Sequence, residues 1–323
     1  MHGLRTVIAF GFLAVGLMAN AALANDYPQK PIKIIVGIGA GGITDVATRL
    51  YAQAVAKRIG QNIIIENRPG GGGAIAATAV QSSEADGYTL LSVYGSQMAT
   101  VAAMQNLGFD PVTGFQHISL LCENIMFLVV PTDSPVNSVT ELFDPTKKKN
   151  AELVFGTPGL GTPSHLLGER IARAKKAPIR VAHYRGGPAM MTDLIAGRID
   201  FALPSYTLAL PFMSSKQVKV LAVDTRARLP QFSEVSTLDE VGLGSQRVAS
   251  WIGLAAPAGT NAAIVKKLSE EFGQAAKDPE LIERMAQIGT PIRTSTPEEM
   301  QNLLKAEMGI TANLIKELGL QKQ

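Results

Sequence analysis

Short apolar runs that end in glycine-rich joints, each followed by an amphipathic stretch, recur along this chain and leave it few folds to choose from. Ile32-Lys33-Ile34-Ile35-Val36 leads into GIGAGGITD and then into a helix-like stretch over 45–59. Residues 62–65 are strand-like again, a helix is expected over 74–81, and 88–93 reads as a third strand. The joints, such as Asn67-Arg68-Pro69 and Asp86-Gly87, are turn formers. Strand and helix periods that alternate in this way imply parallel strands, because parallel neighbours need a long crossover to return to the same end of the sheet. The rhythm restarts in the second half, with strands over 153–155, 180–183, 199–203 and 218–223 and helices over 164–174 and 189–196. Residues 127–130 and 250–255 are strand-like, and 261–320 is rich in helix formers. The expected fold is α/β with two lobes, each a mostly parallel sheet flanked by helices. Residues 25–125 plus 250–323 would form the first lobe and 126–249 the second, and a double connection between lobes permits hinge closure on a ligand.

Residues 1–24 read as a secretory leader. Arg5 supplies a positive start, 6–18 an apolar core, and Ala22-Leu23-Ala24 an A-x-A cleavage site. The apolar run is too short to span a bilayer, no later stretch is long and apolar enough to do so, and no Cys at the cleavage point offers a lipid anchor. Exported, periplasmic material without membrane insertion is therefore expected. Of the 30 Lys and Arg only Arg5 leaves with the leader, so 29 basic side chains face 27 acidic ones. That balance gives no ground for binding nucleic acid or an anionic membrane. The tract Lys147-Lys148-Lys149 reads as a solvated loop. The single Cys122 can form no internal disulfide and reads as a small buried apolar group.

Three loops have the composition of anion receptors, each where a strand should hand over to a helix. In the first, Gly37, Gly39 and Gly42 spell G-x-G-x-x-G ahead of Thr44 and Asp45, freeing amides at a helix start. The second is Tyr94-Gly95-Ser96-Gln97. The third is 156–165, where Thr162 or Ser164 can cap the next helix and leave other donors free. Loops of this kind gather at the carboxyl ends of strands, so the three are expected to line one cleft. The glycine spacing with Glu66 at the end of the next strand also fits a dinucleotide fold, which places a ribose-binding acid about 20 residues on. An exported NAD-dependent oxidoreductase is thus a rival reading. Catalytic groupings are thin: His117, His165 and His183 have no metal spacing, Ser164 and His165 are adjacent and diverge at a helix start, and no G-x-S-x-G, C-x-x-C or Walker loop occurs. No enzyme, cofactor or metal is expected.

Further stretches carry a resemblance: YPQKPI (27–32), GIGAGGITD (37–45), ENRPG (66–70), ADGYTLL (85–91), GTPGLGTPSHLLGE (156–169), YRGGPAMMTDLIAGRID (184–200), SWIGLAAPAGT (250–260) and STPEEM (295–300). In this order they resemble the solute-binding proteins of tripartite tricarboxylate transporters, the Bug or TctC-like family. The resemblance implies a two-lobed, Venus-flytrap architecture of the type II periplasmic-binding-protein kind. It also implies a monomer that holds a small carboxylate between its lobes and presents it to membrane permease subunits. By the same resemblance Ile38, Gly39, Gly42, Thr44 and Asp45 grip the ligand from the first lobe, and the composition of the neighbouring loop adds Tyr94 and Ser96 as candidates. Gly161, Thr162, Ser164, His165, Tyr184, Gly186 and Gly187 would do so from the second. A variant reading keeps the flytrap and docks it on a sensor kinase.

The departures from the family pattern bear on the ligand. Gly37, Ile38, Gly39 and Ala40 stand where relatives carry a Pro-aromatic-x-Pro run, which predicts a more flexible and less aromatic loop. Pro188 lies one residue early relative to Asp193. Pro204 stands where amino-acid binders often carry an acid, which favours a carboxylate without an amine.

Overall fold

The computed structural model describes residues 27–95, 97–104, 107–144, 146, 152–248 and 250–317; the leader lies outside them. Ten strands form two five-stranded sheets. They are β1 Ile32–Val36, β2 Ile63–Asn67, β3 Thr89–Tyr94, β4 Phe115–Glu123, β5 Phe127–Pro131, β6 Leu153–Thr157, β7 Ile179–His183, β8 Phe201–Ala202, β9 Val218–Val223 and β10 Trp251–Pro257. The first sheet has the order β2-β1-β3-β10-β4 and the second β7-β6-β8-β5-β9. Helices of eight or more residues are α1 Ile43–Ile59, α2 Ala74–Gln81, α3 Pro163–Ala174, α4 Gly187–Ile195, α5 Tyr206–Ser214, α6 Ala262–Ala275, α7 Pro279–Gln287 and α8 Pro297–Glu317.

Each sheet is mixed. Four strands run the same way and one inserted strand runs against them: β10 between β3 and β4, β5 between β8 and β9. The inserted strands are the ones that follow a passage from the other sheet, so the chain enters each from the opposite end. The nine-residue β4, absent from the strands read along the sequence, pairs with β10 along its length. β8 shrinks to two residues. Both faces of each sheet are covered. Side chains of α1, α6 and α7 bury one face of the first sheet around Ile34, Tyr51 and Phe272. Those of α2 and α8 bury the other around Leu91, Met98 and Leu304. Cys122 lies fully inside the first of these cores, where burial pushes its thiol far above the usual range.

The passages between sheets are short and tied together. Three residues separate β4 from β5, and the Asn124 amide donates to the Ser250 carbonyl of the return passage at 2.7 Å. Charges crowd here. Arg247 reaches Asp224 at 2.9 Å and Asp239 at 2.7 Å, Glu123 pairs with Arg293, and the Trp251 indole donates to Glu307 at 3.2 Å. Burial pushes Asp224 and Glu307 each up to about 7, more than their arginine neighbours can offset.

Candidate functional site

The first loop is built by β1 and α1. Gly41 takes φ +82°, a conformation that favours glycine, and Gly42 is the N-cap of α1; a side chain there would meet Ile38 Cδ1 at 2.6 Å. Helix α1 starts at Ile43, two residues ahead of expectation, so Asp45 falls in its first turn. No side chain caps this helix, and the amides of Ile43, Thr44 and Asp45 have no acceptor among the described residues. Such orphan amides carry the partial positive charge of the helix start.

Asp45 itself is turned inward and is 2% exposed. Its Oδ2 accepts from the Gly41 amide at 2.9 Å, and its Oδ1 accepts from Arg49 Nε and Asn67 Nδ2, both at 2.9 Å. Burial pushes this carboxyl up, yet the hydrogen bonds from Arg49, Gly41 and Asn67 outweigh it and hold the group below the usual carboxylate range. Asn67 Nδ2 also donates to the Ile38 carbonyl at 3.1 Å, and Arg49 donates to Asn67 Oδ1 at 2.9 Å. The Thr44 carbonyl accepts the Thr48 hydroxyl at 2.6 Å, which leaves its amide at the helix start. Gly39 is exposed at the loop tip.

Strand β3 is the parallel neighbour of β1, so its exit lies beside this loop. Tyr94 closes β3 and donates its hydroxyl to the Gly72 carbonyl at 2.8 Å; burial pushes that phenol up to about 12. Ser96 lies outside the described residues. Residues Gln97–Val101 form a π-helical turn, a local irregularity that recurs at functional sites.

In the second lobe the 158–162 loop runs from β6 into α3. Gly161, at φ +73°, sits so near the first lobe that a side chain would meet Met104 Sδ at 3.0 Å and Thr100 Cγ2 at 3.5 Å. The two lobes therefore touch where the loops after β3 and β6 meet. Thr162 is the N-cap of α3 and its hydroxyl accepts from the His165 amide at 3.3 Å. That hydroxyl also donates to the Gly159 carbonyl at 2.8 Å. The Gly161 amide donates to His165 Nδ1 at 3.1 Å, which puts the imidazole proton on Nε2. Burial, with the His183 ring 4.9 Å away, pushes His165 down to about 4, so it is neutral at physiological pH. Ser164 is 4% exposed, and its hydroxyl has no hydrogen-bond partner among the described residues.

The third loop carries β7 into α4. Gly186, at φ +104°, is the N-cap of α4, and Gly187 packs so close to Leu208 that no side chain fits there. The Tyr184 hydroxyl donates to Asp193 Oδ2 at 2.7 Å, so the phenol lies along α4 and the residue offers the loop only its backbone. Arg185, which the sequence reading passed over, is exposed in this loop and has no ion-pair partner among the described residues. The reading also passed over Arg49 and Asn67; the only signal for Asn67 was its place in the matched ENRPG stretch. Glu66, the acid expected of a dinucleotide site, is taken by Lys33 at 3.1 Å and Arg68 at 2.5 Å.

Two α/β domains linked by paired passages, with glycine-opened helix starts in both and the loop ahead of α3 in contact with the first, define the architecture of the two-domain periplasmic binding proteins. The family model of the tripartite tricarboxylate transporter receptors matches residues 47–320, and the chain belongs to that family. A relative from Agrobacterium vitis, described as the UPF0065 protein in the TAR-I ttuE-ttuC' intergenic region, is 38% identical over 95% of this chain and 91% of its own. The solved periplasmic binding protein BugD is 31% identical with a TM-score of 0.73, covering 92% of this chain and 100% of that one. The R. palustris protein Rpa4515, solved with adipate, is 29% identical with a TM-score of 0.76, covering 91% of this chain and 99% of its own. Among the described residues no helix is long and apolar enough to cross a membrane, and no cluster of His, Cys, Asp or Glu has the makings of a metal site.

Proposed function

We infer that this chain is an exported receptor which closes around a small carboxylate and hands it to the membrane subunits of a tripartite tricarboxylate-type transporter. The observation that carries this reading is the glycine-opened helix start in each lobe, with the loop ahead of α3 lying against the first lobe. The open amides of α1 and the unpartnered Ser164 hydroxyl on α3 are neutral donors, suited to holding an anion without a salt bridge. Adipate in a relative of the same fold supports the ligand class. Residues 1–24 act as a cleaved leader that delivers the chain to the periplasm. The first lobe comprises 25–125 plus 250–323 and the second 126–249, a division in keeping with the membership of the two sheets. The receptor works as a monomer and catalyses nothing.

Thermal melts against di-, tri- and aromatic carboxylates test the reading. A ligand at about 100 times its dissociation constant adds roughly 2.7 kcal/mol to folding stability. Melting that rises with one or more carboxylates is expected; no response to any of them, with a response to NAD or another class, overturns the reading.

A further inference from the structure

The first cleft loop, rich in glycine, is not left loose. Register holds the key: Val36, the last residue of β1, pairs with Asn67, the last residue of β2, so Asn67 sits beside the loop that leaves β1. From there its amide group spans the loop. Nδ2 donates to the Ile38 carbonyl at 3.1 Å and to Asp45 Oδ1 at 2.9 Å, while Oδ1 accepts from Arg49 at 2.9 Å. Asp45 in turn holds the Gly41 amide at 2.9 Å. Both ends of the 38–41 turn are thus pinned to one buried network.

We propose that Asn67 and Arg49 are the positioning residues of the ligand site, clamping Asp45 and the 38–41 turn so that the α1 amides face the ligand and Asp45 is unavailable to a ligand ammonium. The proposal rests on the carboxylate-receptor reading. The donors account for it. Asp45 is buried, takes three hydrogen bonds and is neutralised by a guanidinium, so it has neither exposure nor spare charge to offer a cation. An α-amino acid would have to bury its ammonium against a helix start of like sign, which is unfavourable. The wall therefore selects carboxylates that lack an amine. It does so through a donor network rather than through shape, and the network replaces the rigidity that proline supplies elsewhere.

The test uses the mature protein with Asn67→Ala and, as a second variant, Arg49→Leu. One measurement needs no ligand: exchange of the Gly41 amide and the ionisation of Asp45, both by NMR. In the variants Gly41 exchange is expected to speed at least tenfold and Asp45 to titrate higher; unchanged values for both overturn the clamp. The other measurement is calorimetric binding of malate and adipate set against aspartate and 2-aminoadipate. The parent should prefer the amine-free acids by tenfold or more, and the variants should lose affinity for them and narrow that preference. Variants with the parent's affinities and preference overturn the selectivity. A parent that binds no carboxylate overturns the receptor reading and the selectivity with it, while the exchange and ionisation data still decide the clamp. If one variant fails to fold, the other carries both measurements.

Discussion

Acid should unfold this protein through two histidines, and His117 is the one whose contribution can be isolated. It stands on β4 beneath α8, 3% exposed, and among the described residues its ring nitrogens have no well-formed hydrogen bond, only the nearby backbone of Val112 and Pro111, which opposes the effect of burial in part. Burial, aided by the charge of Lys305 nearby, pushes it down to about 4 from its ordinary 6.5. A depressed histidine is neutral in both states above pH 6.5; below that the unfolded chain takes up the proton first, so stability falls as pH drops and levels off near 4. The slope approaches about 1.4 kcal/mol per pH unit, and across this window the loss is about 3 kcal/mol. His117→Leu removes the titration and a buried imidazole whose nitrogens are poorly hydrogen-bonded, against a shape change that costs below about 1.5 kcal/mol. At pH 7.5 the variant should equal or exceed the parent in stability, and by pH 4.5 it should have gained roughly 2–3 kcal/mol on it. Urea unfolding followed by Trp251 fluorescence and circular dichroism, at steps from pH 7.5 to 4.5, measures both quantities. Equal acid slopes in the two proteins refute the reasoning, as does a variant weaker by more than about 2 kcal/mol at pH 7.5.

Asp224 has the opposite sign: its folded value of about 7 lies above its ordinary 3.8, so stability is lost as pH rises toward 7, and Asp224→Asn should flatten the profile between pH 5 and 8 in the same titration. Gly168→Ala would drive a methyl to 2.2 Å from the Phe155 ring, and a loss of about 1–3 kcal/mol or more is expected in thermal melts. Ser164→Ala should lower ligand affinity by fivefold or more without lowering the melting temperature of the ligand-free protein, because its hydroxyl has no partner to lose.

Much of the fold could be read along the chain. Strands β1 and β9 and helix α2 lie where periodicity places them, and the glycines of the first loop do open a helix start. Periodicity failed where a strand's character comes from its neighbours. β4 was not read from the sequence and becomes strand through its pairing with β10, well over 100 positions away. The helix starts of the candidate loops were legible in the sequence, and the hydrogen bonds that their side chains make inside the protein were not. Tyr184 has the composition of a cleft donor, yet Asp193 one helix later captures its hydroxyl. Asp45 reads as a contact for the ligand, but Arg49 and Asn67 occupy it.

The sequence alone determined the α/β rhythm, its restart in a second unit and the glycine-rich helix starts, because apolar periodicity and backbone freedom are properties of residues and their near neighbours. Tertiary structure decided the rest: which strand enters which sheet in which direction, which histidine tautomer α3 holds, and which acid is spent inside the protein. Those outcomes depend on register. Pairing Val36 with Asn67 brings an amide 22 positions distant onto Asp45, and a slip of one residue would turn that side chain to the other face of the sheet.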